Sequence, residues 1–176
     1  MGVLGGPFLI VSLLLAGAGA MKAYDPANTV GALRRFRLPV PSWAVRAGGA
    51  AELAIGLAAV ATGARWAAAL VAASYALFTV FVAIALLRRL PVGSCGCFGK
   101  VDTPASWLHV VIDACVTGVA AAVAIAGGDS LAVILRDQPA GGVPFVIFVA
   151  TGVYLLFVAL TALPQLLETM KSAPDA

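Results

Sequence analysis

Charged residues are scarce in this 176-residue chain, where Asp, Glu, Lys and Arg together make up 11% of the sequence. Soluble domains usually carry about a quarter charged residues, so this shortage excludes an ordinary water-soluble fold. A signal peptide carries a basic residue before its apolar run, and the first apolar run of this chain has none. That run ends in a small-residue stretch, residues 16–20, which resembles a cleavage site, but we expect it to be retained as a helix.

Apolar residues make up 62% of the chain, and they form five stretches of about the 20 residues that a membrane crossing needs. The sequence therefore predicts an all-α polytopic membrane bundle of about five transmembrane helices. The first four, within residues 1–126, form one unit, and residues 127–176 hold a loop, a fifth helix and a short polar tail. The five predicted spans are Val3–Met21, Trp43–Thr62, Trp66–Leu87, Trp107–Ala126 and Val143–Leu163.

The first and third loops must lie on the same side of the membrane, because two spans separate them. The first, Lys22–Ser42, is predicted to hold a short interfacial helix stopped by Pro39. The second, near Gly63, is tight and predicts an antiparallel hairpin, and the fourth is polar. One leaflet then collects most of the polar side chains, namely Lys22, Arg46, Glu52, Cys95, Cys97, His109 and Asp113.

Basic residues are distributed unevenly between the two sides of the predicted bundle. The side of the first loop carries all of them except Arg65 and Arg136, and the positive-inside rule would place that side in the cytoplasm. A disulfide-exchange role would instead favour the outside, where disulfides persist. The net charge of +3 lies in short loops, which indicates contact with membrane lipid and does not indicate nucleic-acid binding.

Two cysteines, Cys95 and Cys97, lie in the third loop and are separated by a single glycine. A disulfide between them would close a small strained ring, and strain makes such a bond easy to reduce and exchange. Flanking glycines allow a partner to approach closely. This pattern favours redox or metal chemistry over two unpaired thiols. The third cysteine, Cys115, lies inside the fourth span and is predicted to be a buried apolar filler.

Glu52 lies in the middle of the second span, where an ionisable group is costly and usually functional. Gly48 and Gly56 stand one turn to either side, and this small-residue stripe predicts close packing against another helix. Glu52 is then inside the bundle, protonated or paired with Lys22 or Arg46. It is interpreted as a proton carrier beside a redox loop or quinone headgroup, the alternative being a structural carboxyl.

His109 and Asp113 are one turn apart on the fourth span and share a face just below the cysteine loop. The imidazole can deprotonate a thiol or relay a proton, and Asp113 can orient it. The alternative is a pair that only bonds neighbouring helices. With Cys95 and Cys97, these two residues and Glu52 are the candidate catalytic residues.

The string Cys95-Gly96-Cys97-Phe98-Gly99 between two membrane helices resembles the MauE/DoxX-like family of redox-associated membrane proteins. Lys22 at the end of the first helix, Glu52-Leu53 in the second and the Trp107-Leu108-His109 opening of the fourth support the resemblance over residues 1–126. Family members often carry Arg-Asn where this chain has Ile112-Asp113. The resemblance implies a bacterial plasma-membrane partner of thioredoxin-fold proteins that supports disulfide formation, with methylamine utilisation as one setting.

The sequence leaves three functional interpretations open. The first is a membrane thiol–disulfide redox component, with a membrane quinone as a candidate electron acceptor and thiol–disulfide oxidoreductase activity as a candidate enzymatic role. The second is a membrane scaffold or assembly factor without turnover. The third is a metal handler using Cys95, Cys97 and His109, which no further Cys or His supports, so no metal site is assigned.

Overall fold

The structure is a computed structural model, and it describes residues 4–88 and 106–172 of the chain. These residues are helical apart from short connections, and five of their helices are long and apolar enough to cross a membrane. The prediction of a polytopic all-α bundle is therefore confirmed. In chain order the helices are α1 (Gly5–Tyr24), α2 (Ala27–Arg35), α3 (Ser42–Thr62), α4 (Arg65–Leu87), α5 (Trp107–Ala126), α6 (Leu131–Arg136) and α7 (Val143–Ser172).

The five long helices pack as two pairs with α7 added at one side. α1 lies mainly against α3, α4 lies mainly against α5, and α7 contacts α1. The core between the pairs combines small and β-branched residues such as Ala67 and Val71 with larger ones such as Phe8. Many other large apolar side chains point outward, as in a protein whose solvent is lipid. Trp43, Trp66 and Trp107 are exposed near the predicted membrane surfaces, where interfacial aromatic residues are common.

The tightest contact in the bundle is the crossing of α1 and α3. A methyl group at Gly49 would lie 2.7 Å from both the Ala23 nitrogen and the Gly19 carbonyl oxygen, so only glycine fits there. A methyl group at Gly56 would likewise overlap backbone atoms of Ser12 and Ala16 in α1. The predicted small-residue stripe is thus correct at Gly56 but wrong at its other end. Gly48 is exposed, and a methyl group there would meet nothing within 4 Å. The residue of α3 that faces α1 at this end is the neighbouring Gly49.

The connections on the two sides of the membrane differ. Gly63, with a φ of 62°, ends α3 in the left-handed conformation and lets α4 begin at Arg65, which confirms the predicted hairpin. On the other side α2 ends at Arg35, before Pro39, and its neighbour Phe36 stacks on Phe81 of α4 with ring centroids 4.3 Å apart. The predicted short interfacial helix is therefore present and is tied to the bundle.

The fourth loop is more ordered than its Gly and Pro content suggested. It contains α6 and a 3-10 turn over Pro139–Gly142, and Ile134 of α6 is buried against Leu9 and Val149. Ser130 caps α6 by accepting a hydrogen bond from the Val133 amide. The expectation of a plain polar loop is therefore wrong, because the apolar residues 131–135 form a short helix that buries Ile134 against the bundle.

Candidate functional site

An ion pair between Lys22 and Glu52 joins the last turn of α1 to the middle of α3. The Lys22 Nζ donates to Glu52 Oε2 across 2.5 Å, and the two side chains are 14% and 26% exposed. The close crossing at Gly49 sets this distance, since a methyl group at Gly49 would also come within 2.9 Å of the Lys22 Cβ. Of the two cations predicted for Glu52, Lys22 makes the contact, while Arg46 is exposed.

A small cavity of about 40 Å³, here called the inner cavity, lies beside this ion pair. It is large enough for two or three water molecules, at roughly 10–15 Å³ for each. Four helices contribute polar side chains to it, while Leu15, Ala18, Phe78 and Leu160 supply apolar surface. The polar lining residues are Lys22, Glu52, Ser74, Tyr75, His109 and Asp113. Three candidate residues predicted from two different helices, Glu52 on α3 and His109 and Asp113 on α5, therefore line one cavity.

His109 lies in the first turn of α5 and is 2% exposed. Its Nε2 is 2.9 Å from the Leu160 carbonyl oxygen of α7, and because a carbonyl only accepts, Nε2 carries the hydrogen. In a neutral ring Nδ1 then accepts from the Ser106 hydroxyl at 3.0 Å. Both ring nitrogens are thus engaged, and neither is engaged with Asp113. The expectation that Asp113 orients the imidazole is wrong in this arrangement.

Asp113 is 2% exposed, and its Oδ2 has no hydrogen-bond partner among the described residues. A buried polar atom without a partner costs about 1–3 kcal/mol, so native structures rarely keep one. Asp113 lines the inner cavity, and a water or a ligand group there would satisfy this oxygen. The carboxyl group is therefore placed to exchange a proton with the cavity contents.

The wall supplied by α4 was not identified from the sequence. Tyr75 donates from its hydroxyl to the Val11 carbonyl oxygen at 2.8 Å, which fixes α4 against α1. Ser74 donates to the Leu70 carbonyl oxygen of its own helix at 2.9 Å, and Phe78 follows one turn later. The available signal was a Ser-Tyr pair inside an otherwise apolar span, with an aromatic residue at the i+4 position.

The three cysteines are positioned differently. Cys95 and Cys97 lie outside the described residues, in the sequence that connects α4 to α5. Cys115 is exposed on α5, so the prediction of a buried filler is wrong and this thiol faces outward from the bundle. Within residues 4–88 and 106–172, no three His, Cys, Asp or Glu side chains come together as a metal site would require.

The fold and the site together define a class of protein: a multi-pass helical membrane protein with a cavity between its helices that is lined by polar side chains. The chain belongs to the MauE family, since the family model described as methylamine utilisation protein MauE matches residues 3–126. The match ends with the last residue of α5 and covers the four helices that line most of the cavity. No curated protein and no solved structure matches the chain.

Proposed function

We propose that this MauE-family protein is an integral membrane thiol–disulfide redox component in which Cys95 and Cys97 form the exchanging pair. The observation that carries the proposal is the clustering of Glu52 and Asp113 at one small cavity, in the leaflet from which the cysteine-bearing connection leaves α4 and enters α5. Oxidation of two thiols releases two protons, and the carboxyl groups of Glu52 and Asp113 can receive them.

Depth within the bundle supports this assignment. Asp113 is six residues into α5, roughly 9 Å from the helix start, and Glu52 is ten residues into α3, roughly 15 Å from its start. His109 lies closer to the membrane surface. The start of α5 adjoins the cysteine connection, and the start of α3 lies on the same side of the bundle. The polar groups therefore descend from that side, an order suited to moving protons inward.

The exchange runs in two steps that balance. A thiolate of a thioredoxin-fold partner attacks the Cys95–Cys97 disulfide, which forms a mixed disulfide and releases one cysteine of this chain as a thiol. The second partner thiolate then attacks the mixed disulfide, which leaves the partner oxidised and this chain with two thiols. Two electrons have moved from the partner to this chain, and an acceptor must remove them before the next cycle.

One observation favours a scaffold function as the second candidate. Both nitrogens of His109 are committed to hydrogen bonds, since Nε2 holds α5 to Leu160 of α7 and Nδ1 bonds Ser106 at the start of α5, which is a structural use of the ring. The same bonds count against the metal interpretation, because a metal bound through either nitrogen would break one of them. The scaffold candidate predicts that the thiols are dispensable.

Single serine variants distinguish these functions. Thiol–disulfide exchange is reversible, so in Cys95→Ser or Cys97→Ser the remaining thiolate can attack the disulfide of an oxidised thioredoxin-fold partner. This chain then lacks the second cysteine that would release the partner, so one of the two variants should accumulate a reducible covalent complex. Cells carrying each variant are quenched with acid, alkylated and examined by non-reducing electrophoresis. Cys115→Ser is the matched control and should behave as the wild type, since that thiol lies on the outer face of α5. No complex in either variant would support the scaffold function instead.

A further inference from the structure

A second and larger cavity adjoins the inner cavity. It has a volume of about 310 Å³ and is bounded by α1, α2, α3 and α4; we call it the outer cavity. Four residues line both cavities, namely Lys22, Glu52, Ser74 and Phe78. The ion pair therefore forms part of the boundary between a chamber that holds only a few waters and a chamber in the size range of small-molecule sites, about 300–1,000 Å³.

The outer cavity has an apolar mouth and a polar end. Its lining includes Leu33, Leu77, Phe78 and Phe81, and Leu77 is 73% exposed on the surface of α4 that faces away from the bundle. A ligand entering there comes from the membrane. At the far end the Lys22 ammonium has three N–H donors, and the contact with Glu52 uses one of them.

We infer that the outer cavity binds the ring of a membrane-dissolved quinone, and that the inner cavity is its proton path. The ring packs against the lining side chains of Phe78 and Phe81, an alkyl tail leaves past Leu77, and one ring carbonyl accepts from the Lys22 ammonium. This inference rests on the proposed function, because it names the acceptor for the electrons that the cysteine pair collects.

The redox step balances with the quinone as oxidant. The Cys95 and Cys97 thiols lose two electrons and two protons and form an S–S bond, while the two quinone carbonyls gain both and become the hydroxyls of a quinol. Glu52 borders both cavities and Asp113 has an unpartnered buried oxygen in the inner one, so protons can cross from the inner chamber to the ring. The lone pairs of Ser74, whose hydroxyl hydrogen is directed to Leu70, are available to a quinol hydroxyl.

The test is calorimetric binding of ubiquinone-1 to the full chain in quinone-free lipid nanodiscs, with empty nanodiscs as the baseline for partitioning. Leu77→Trp should fill the mouth of the outer cavity and weaken binding at least tenfold, and it removes no core side chain because Leu77 is mostly exposed. Leu70→Trp is the matched control. It makes the same change two turns earlier on α4, at an exposed site that lines neither cavity, and should bind as the wild type.

Two further variants separate this inference from the proposed function. Lys22→Met should also weaken binding at least tenfold, while the double variant Cys95→Ser/Cys97→Ser should bind ubiquinone-1 as the wild type because it keeps all the residues that line the outer cavity in the described part of the chain. Absence of saturable binding to the wild type, or equal binding by Leu77→Trp and Leu70→Trp, would overturn the inference. The covalent complex with a thioredoxin-fold partner would still form in that case.

Discussion

Two adjacent glycines on α3 should respond in opposite ways to the same substitution. Replacing either Gly48 or Gly49 with alanine gains up to about 1 kcal/mol of helix propensity. At Gly48 the new methyl group meets nothing within 4 Å, so this gain is all that changes. At Gly49 it would lie 2.7 Å from two backbone atoms of α1, which cannot move independently of their helix.

The cost of that overlap exceeds the gain in propensity. Overpacking costs typically 1–3 kcal/mol, and overlap with two backbone atoms of α1 places Gly49→Ala at the upper end of this range. We therefore expect Gly49→Ala to be about 2 kcal/mol less stable than the wild type, and Gly48→Ala to be equal to it or slightly more stable. Thermal unfolding in detergent micelles, followed by circular dichroism, measures the difference between the two variants.

Gly49→Ala should also disturb the Lys22–Glu52 ion pair. Forcing α1 away from α3 at Gly49 lengthens the Lys22–Glu52 contact, since the Lys22 Cβ is among the atoms that the methyl group would meet. Ubiquinone-1 binding should weaken in Gly49→Ala and stay unchanged in Gly48→Ala. Equal stabilities for the two variants would refute the assigned helix contact face and with it the geometry of the ion pair.

Three other predictions follow from the bundle. In a double-mutant cycle with Lys22→Met and Glu52→Gln, unfolding should show a coupling energy of about 1–3 kcal/mol, and a value near zero would mean that the ion pair does not form. His109→Phe should destabilise the protein by about 1–3 kcal/mol by leaving the Leu160 carbonyl unpartnered, an effect that unchanged thermal unfolding would disprove. Reporter fusions at residues 1 and 176 should localise to opposite compartments, because five helices cross the membrane; localisation to one compartment would exclude five crossings.

Much of the fold was readable because the membrane imposes simple rules. The five spans follow from length and hydropathy, and the hairpin at Gly63 follows from its short loop. Because two spans separate the first and third loops, both loops lie on one side of the membrane, which predicted that Lys22, Glu52, His109 and Asp113 share a leaflet. These four residues line the inner cavity. The close approach of α1 and α3 followed from the small residues around Glu52.

The wrong predictions concerned which side of a transmembrane helix faces its neighbours and which side faces lipid. Gly48 and Gly49 differ by about 100° around α3, and a span that is apolar on every side gives little indication of which one faces its neighbour. Cys115 was misplaced for the same reason, because lipid-facing positions are as apolar as buried ones. The Leu160 carbonyl that holds His109 had a signal that went unused, since Pro164 four residues later has no N–H to donate to it.

The orientation of the cysteine connection decides its resting state. If it faces the cytoplasm, as the distribution of Lys and Arg indicates, the glutathione pool should keep Cys95 and Cys97 mostly as thiols. If it faces the outside, they should be found mostly as a disulfide. Labelling intact cells with a membrane-impermeant maleimide, before and after reduction, determines the side and the oxidation state together.

The most direct test of the redox proposal is a titration of the purified protein in nanodiscs against glutathione buffers of defined potential. The thiols are quenched with acid and counted by alkylation with a maleimide that shifts the mass. We expect Cys95 and Cys97 to titrate together as one two-electron couple, with a slope of about 30 mV per tenfold change in ratio, and either serine variant to abolish the transition. Thiols that never pair at the most oxidising potential would contradict the account.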